Sequence, residues 1–371
     1  MWTSVEPMTQ RLRIAVIFGG RSSEHEISCI SAGSVLRALD RAKYDVVPIG
    51  ITREGQWVLE TDDADRLRVI DGVFPQVDSS RPPVLFTADP TATEVVVQTS
   101  VPSVLAQVDV AFPVLHGPWG EDGTIQGLLE LAGVPYVGSG VFASAAAMDK
   151  AHMKSMLRAA GLAVGPYEVI TDFQWTHQRE HAIDRVSRLG LPLFVKPSRA
   201  GSSVGITKVK DYADLEAAIV QARVHDPKVI IEASVEGNRE IECGVLGTAA
   251  GPQASVVAEI IVRAGHEFYD YEAKYVDDSV ELVVPAQVSD TVSQRIRALA
   301  CEAFTALDCE GLARVDMFIS GDDIVINELN TMPGFTPISM FPRMWSETGM
   351  DYPQLVDALV QDAVRRGTGL R

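Results

Sequence analysis

Residues 314–330 constrain the fold more than any other stretch of this chain. They read RVDMFIS, GDD and IVINELN, two apolar-rich runs around a Gly-Asp-Asp turn, which is a β-hairpin pattern. Side chains alternate across a strand, so Arg314, Asp316 and Phe318 share one face of the first arm. The same rule puts Ile324, Ile326, Glu328 and Asn330 on one face of the second. Eleven residues lie between Asp316 and Glu328. A three-residue loop over Gly321, Asp322 and Asp323 leaves four on each arm, which sets Asp316 opposite Glu328 and Arg314 opposite Asn330. A two-residue turn shifts the parity and breaks that pairing.

Two carboxylates opposed at a Cβ separation of about 4.5–5.5 Å repel and weaken a sheet. A bound cation removes the penalty. Oxygen donors from Asp, Glu and Asn suit Mg²⁺, whose octahedron phosphates and water complete. An exposed sheet face of solvated charges gives the same pattern, so the hairpin alone leaves both readings open.

Charge sharpens the question. The 371 residues carry a formal net charge of −18, which repels nucleic acid and anionic lipid at long range. An acidic protein that binds a polyphosphate must build a local cationic site and recruit divalent metal. Residues 193–205 (LFVKPSRAGSSVG) offer such a site: an apolar strand delivers Lys196 into a Ser/Gly-rich loop whose N–H and hydroxyl groups can meet phosphate oxygens. No Gly-Lys pair occurs, so this is not a Walker A loop, and a surface turn is the plain alternative. Lys150 is a second candidate phosphate cation, although a lone lysine is usually just solvated.

Three further segments bear on function. Residues 268–278 (FYDYEAKYVDD) have neither helical nor strand periodicity and mix three tyrosines with five charges, as a lid over a charged substrate does and as an exposed loop also does. Residues 19–28 (GGRSSEHEIS) and 116–123 (HGPWGEDG) each follow a strand candidate, so both can face one cleft, where Glu24 can hold an ammonium group. Gly138, Gly140 and Ala143 match a dinucleotide-binding spacing, but residues 159–165 lack the confirming acid, and a nicotinamide site is rejected.

The apolar run 13–20 ends in a glycine pair, and the run 108–115 precedes a helical stripe at 124–132 closed by Gly133. Strand–loop–helix units of this kind predict a parallel α/β sheet with its site at the strand C-termini. Asp149 can cap a helix running to Gly161, residues 193–196 and 229–231 read as strands around a helix at 214–222, and antiparallel alternation runs from 240 to 289 before a helix over 290–307. Short strands at 57–59, 84–86 and 94–98 have no assigned order. Three domains are expected, at 1–144, 145–237 and 238–371. No apolar run approaches the roughly 18 residues of a membrane span. Cys29, Cys243, Cys301 and Cys309 form no Cys-x-x-Cys pair, which argues against disulfides or zinc and for the cytosol.

The five segments GGRSSEHEIS, HGPWGEDG, KPSRAGSSVG, YDYEAKY and NELNTMPGFTPIS, in this order, resemble the D-alanine–D-alanine ligases of the ATP-grasp superfamily. Each is weak alone; the ordered set is specific. The resemblance implies an α/β fold, α+β in its later part: an N-terminal Rossmann-like parallel-sheet domain followed by a two-domain ATP-grasp fold. It implies ATP-dependent joining of two D-alanine molecules through an acyl phosphate, for peptidoglycan precursors. Another ATP-grasp carboxylate–amine ligase is the alternative.

By the same resemblance, Lys150, Lys196, Lys274, Ser203, Glu232, Ala233, Val235, Glu240, Phe318 and Asn327 hold ATP. Asp316, Glu328 and Asn330 bind two Mg²⁺, with Mn²⁺ able to substitute, and a monovalent cation is an open possibility. Glu24, Ser202, Tyr275, Arg314 and Gly334 are the catalytic set, and His116, Ser339 and Met340 contact the amino-acid substrates. The intact Glu-Ala-Lys-Tyr at 272–275 favours an amine nucleophile, so Tyr275→Phe is expected to gain D-lactate ligation. A homodimer without nucleic-acid or membrane partners completes the expectation.

Overall fold

The computed structural model describes residues 11–92, 94–97, 103–235, 237–262 and 280–369. The chain begins with β1 (Leu12–Gly19), α1 (His25–Ala38), β2 (Tyr44–Ile51), β3 (Trp57–Leu59), β4 (Val84–Phe86), β5 (Glu94–Val97), β6 (Ser103–Gln107) and β7 (Val110–Val114). The first sheet has the order β3-β2-β1-β7, with β1 parallel to both neighbours. From Ile14 to Phe18, β1 is buried on both faces, which is why it reads as an unbroken apolar run. Its end is fixed by one hydroxyl: Ser28 Oγ accepts from Gly19 N at 2.7 Å and donates to the Val114 carbonyl of β7. Of the unordered strand candidates, 57–59 is β3 at the edge of the first sheet, while 84–86 and 94–98 correspond to β4 and β5 of a separate three-stranded sheet, β4-β5-β6.

Next come α2 (Thr124–Leu131), α3 (Val141–Met148), α4 (Lys150–Ala159), β8 (Tyr167–Ile170), α5 (Asp172–His177), α6 (Arg179–Ser187), β9 (Leu193–Pro197), β10 (Thr207–Val209), α7 (Leu215–Arg223) and β11 (Val229–Ala233). Gly133 (φ +65°) follows the end of α2, and Asp149 caps α4 by accepting from the Ala151 and His152 amides. The second sheet is antiparallel, in the order β10-β9-β11-β8.

The last part holds β12 (Arg239–Thr248), β13 (Gly251–Val262), β14 (Val280–Val283), α8 (Asp290–Ala306), β15 (Leu312–Ser320), β16 (Asp323–Asn330), α9 (Met340–Thr348) and α10 (Tyr352–Arg366). Its antiparallel sheet runs β14-β13-β12-β15-β16. One face buries Val315, Met317, Ile324 and Ile326 against α3, α4 and α8. Packing crosses the sequence order at the end of the chain: Leu355, Val356 and Leu359 of α10 join Ile14, Phe18 and Val35 in the core of the first sheet.

Candidate functional site

The hairpin pairs as the sequence predicts, but by a different route. Asp316 faces Glu328, and Arg314 faces Asn330. The turn, however, has only two residues, because Ser320 pairs with Asp323. Parity is restored by a β-bulge: Met317 pairs with Ile326, leaving Asn327 as the extra residue. The bulge also corrects the expected faces. Ile324 and Ile326 are buried in the core, whereas Glu328 and Asn330 turn to the opposite side and line a cleft with Arg314, Asp316 and Phe318.

Neighbouring side chains of the protein offset the repulsion between the opposed acids. Arg314 donates to both carboxylate oxygens of Asp316 at 2.7 Å and approaches Glu242 at 3.1 Å. Asn330 Nδ2 donates to Asp316 at 3.0 Å, and Lys150 Nζ lies 3.4 Å from Glu328. Burial works against the Arg314 charge, but Asp316 and Glu242 outweigh it and hold its pKa well above the ordinary value. Among the described residues no group of three His, Cys, Asp or Glu side chains is gathered for a metal. The convergent donors here are two carboxylates and an amide, an all-oxygen set that fits Mg²⁺ when phosphate and water complete its shell.

The cationic wall opposite comes from α4 and β9. Lys150, first residue of α4, donates to the Ala200 carbonyl at 2.9 Å, and Lys196 Nζ lies 2.6 Å from Glu232 Oε2. Burial would lower the Lys196 pKa, yet Glu232 raises it. Burial likewise works to raise Glu232, but Lys154 and Lys196 hold it down at about 2. Glu232 is thus gripped by two lysines, an arrangement the sequence does not announce. The Ser/Gly loop follows Lys196 and connects β9 to β10. Ser202 (φ 47°) and Ser203 (φ 58°) both sit in the left-handed region, a strain of about 1–2 kcal/mol per residue. The loop is rooted by Asp149, which accepts from Ser198 Oγ at 2.8 Å and from the Lys228 ammonium.

The first sheet closes the cleft. Ser202 Oγ donates to Glu24 Oε1, joining the Ser/Gly loop to the N-terminal part of the chain. Gly117 (φ +73°) permits this, since a Cβ there would sit 2.7 Å from Glu24 Oε2. His116 lines the cleft, but both ring nitrogens are engaged, Nδ1 with the Met332 carbonyl at 3.1 Å and Nε2 with Ser31 Oγ at 3.2 Å. Burial lowers its pKa, so it is a neutral brace between two loops. Glu121 was not singled out from the sequence although it lies in HGPWGEDG. It accepts from the Gly117 amide at 2.5 Å and the Met332 amide at 3.2 Å. Burial, aided by the Glu24 charge, pushes its pKa up to about 8.

The cleft encloses about 1510 Å³. Ala233, Val235, Glu240 and Asn327 line it, as do Ser203, Gly334, Ser339 and Met340. Ser339 Oγ bonds Thr336 Oγ1 at 2.7 Å and so shapes the 334–339 turn. Lys274 and Tyr275, with the whole expected lid at 268–278, lie outside the described residues. The rejected dinucleotide glycines instead start α3, where Gly140 is the residue before the helix.

Two family profiles cover nearly the whole chain: D-ala D-ala ligase N-terminus over residues 13–139 and D-ala D-ala ligase C-terminus over residues 156–361. The chain belongs to the D-alanine–D-alanine ligase family. D-alanine–D-alanine ligases of Streptomyces avermitilis and Nocardia farcinica are 54% and 55% identical to it, over 99% and 98% of this chain and 98% and 100% of theirs. That of Mycolicibacterium vanbaalenii is 56% identical over 98% of this chain and all of its own. Among solved structures, the VanG D-Ala:D-Ser ligase of Enterococcus faecalis superposes with a TM-score of 0.84 at 37% identity, over 95% of this chain and 100% of that one. The D-alanine–D-alanine ligase of Coxiella burnetii gives 0.79 at 34%, over 96% and 94%. Members of the D-alanine–D-alanine ligase family have the ATP-grasp fold, in which the second and third sheets here form the two arms around the cleft.

Proposed function

We propose that this chain joins two D-alanine molecules into D-alanyl-D-alanine for peptidoglycan precursors, with cleavage of ATP to ADP and phosphate. One observation carries the reading: Asp316 and Glu328 stand opposed in a cleft that also holds Lys150, Lys196 and the Glu24–Ser202 bond. Acid pair, phosphate cations and a proton path are then within one site. The division into 1–144, 145–237 and 238–371 belongs to this proposal, with α10 packing back on the first part.

In the first step the carboxylate of one D-alanine attacks the γ-phosphorus, the bond to the β–γ bridging oxygen breaks, and ADP leaves. Lys150 and Lys196 offset the charge spread over the transferring group. Asp316, Glu328 and Asn330 would hold Mg²⁺, which would supply charge neutralisation for the phosphoryl oxygens. In the second step the amine of the other D-alanine attacks the acyl phosphate, and phosphate leaves. Arg314 and the Gly334 amide border the place where the oxyanion forms. The amine proton passes to Ser202 as that hydroxyl proton passes to Glu24, along the bond already made between them. Two Mg²⁺, replaceable by Mn²⁺, a homodimer and a cytoplasmic location complete the proposal, with a monovalent cation as an additional activator to be tried. Among the described residues no helix is long and apolar enough to cross a membrane.

ADP release and product mass, measured with ATP, Mg²⁺ and D-alanine, L-alanine or mixtures of D-alanine with D-serine or D-lactate, test the reading. D-alanine alone must support turnover and yield the dipeptide. Preferred D-serine incorporation would move the chain to the specificity in the name of the VanG ligase. No ADP release with any of them would remove the ligase assignment.

A further inference from the structure

The reaction leaves one buried cation without a task. Lys154 stands one turn beyond Lys150 on the same face of α4, and its side chain is 3% exposed. A lysine is almost never this deep unless it is paired. Its Nζ donates to the Asn327 carbonyl at 2.8 Å and lies 2.9 Å from Glu232 Oε1.

Both partners matter to the cleft. Asn327 is the extra residue of the bulge in β16, and a bulge leaves its extra residue without a ladder partner. The same helix and the loop that follows it hold the flanks, since Leu329 N donates to Met153 Sδ and Ile326 N to the Ala163 carbonyl at 2.8 Å. Without the bulge, Glu328 would turn from the cleft to the core face. Glu232, in turn, shares its single negative charge between Lys154 and Lys196. Two ammonium groups and one carboxylate leave one net positive charge at the phosphate end. With Lys154 gone, Glu232 would neutralise Lys196 alone and that charge would vanish.

We propose that Lys154 is a positioning residue for the nucleotide site: its ammonium pins the bulge that presents Glu328, and by sharing Glu232 it keeps positive charge on Lys196 for phosphate. This rests on the ATP-binding part of the proposed function, not on ligation. The test is Lys154→Met in the full chain, with calorimetric titration of ADP and of adenosine in EDTA. The ratio of ADP to adenosine affinity falls about tenfold or more, the scale of one lost charge-assisted interaction. General damage to the cleft would lower both ligands together and overturn the proposal, as would a ratio within twofold of the parent. Lys154→Met/Glu232→Gln removes the uncompensated carboxylate, which guards against misfolding of the single variant, and returns the net charge. Its ADP-to-adenosine ratio recovers to within about threefold of the parent. A ratio that stays low would refute the charge argument. In both variants the Mg²⁺ concentration for half-maximal D-alanine-dependent ADP release rises about tenfold, because the bulge is no longer pinned; an unchanged midpoint overturns that half of the proposal. If the parent binds ADP but D-alanine elicits no ADP release, the ligase reading fails while the affinity ratio still decides the role of Lys154.

Discussion

Replacing Arg314 by Met should convert the hairpin from a self-neutralised site into one that depends on added cation. Arg314 is the bidentate partner of Asp316 and the neighbour of Glu242, whose side chains are 7% and 2% exposed. Methionine keeps much of the volume and removes the charge. Asp316 is then left between Glu242 on one neighbouring strand and Glu328 on the other with less compensation, and breaking a buried ion pair on one side costs about 3–5 kcal/mol. With unfolding entropy of about 2.1 cal/mol/K per residue, the whole chain melting as one unit would lose about 4–6 °C in Tm. A sheet that melts separately would lose more. Differential scanning calorimetry with and without millimolar Mg²⁺ is the assay. The variant's Tm should fall in EDTA and be raised by Mg²⁺ more than that of the parent, because cation binding now relieves the repulsion. A Tm within 1 °C of the parent (by the roughly 1 °C per kcal/mol scale above), or equal Mg²⁺ shifts in both, would refute the electrostatic reasoning.

Glu121 predicts a pH effect of definite sign. Its pKa is raised from 4.5 to about 8, so the folded state holds a proton that the unfolded chain releases above pH 4.5. Stability therefore falls as pH rises between these values, by about 1.4 kcal/mol per pH unit, and no difference remains below both. Glu121→Gln should lose that slope, and its Tm relative to the parent should improve from pH 5 to pH 8; parallel Tm curves would count against the buried acid. Asp149→Ala removes the α4 cap and strands Lys228, so chemical denaturation should show a loss of about 2–4 kcal/mol, with weaker ATP binding; a loss below about 0.5 would deny the anchoring role. Ser202→Ala should lower kcat about 10²–10⁴-fold with the ATP KM little changed, and a full-rate variant would take the proton path elsewhere.

The parts of the site that were legible in the sequence are those whose neighbours are close in the chain. Period-two alternation gave the Asp316–Glu328 opposition because register on a short hairpin has few options. It erred on the turn, the bulge and the faces of Ile324 and Ile326, since a bulge is fixed by Lys154 and Met153 from 170 residues or more away. Glu121 and Lys154 escaped for a similar reason: an acid in a loop and a lysine on a helix look solvated until the fold buries them. Both sat beside residues already singled out, so spacing from His116 and Lys150 was the available signal. The parallel sheet at 12–19 and 110–114 was readable as doubly buried strands, but β2 was not, because Pro48 and Gly50 interrupt Tyr44–Ile51 in sequence. The cationic lining is the converse case. Net charge demanded it, and the lysines and Arg314 supply it, yet only the fold reveals that they already balance Glu232, Asp316 and Glu328 before any ligand arrives.

Calorimetric titration of ADP with and without Mg²⁺, on the parent chain and on Glu328→Gln, reaches the centre of the account. The parent should gain about tenfold or more in affinity from Mg²⁺, and Glu328→Gln less than about twofold. An equal gain in both would mean that the acids opposed on β15 and β16 do not hold the cation that meets the nucleotide.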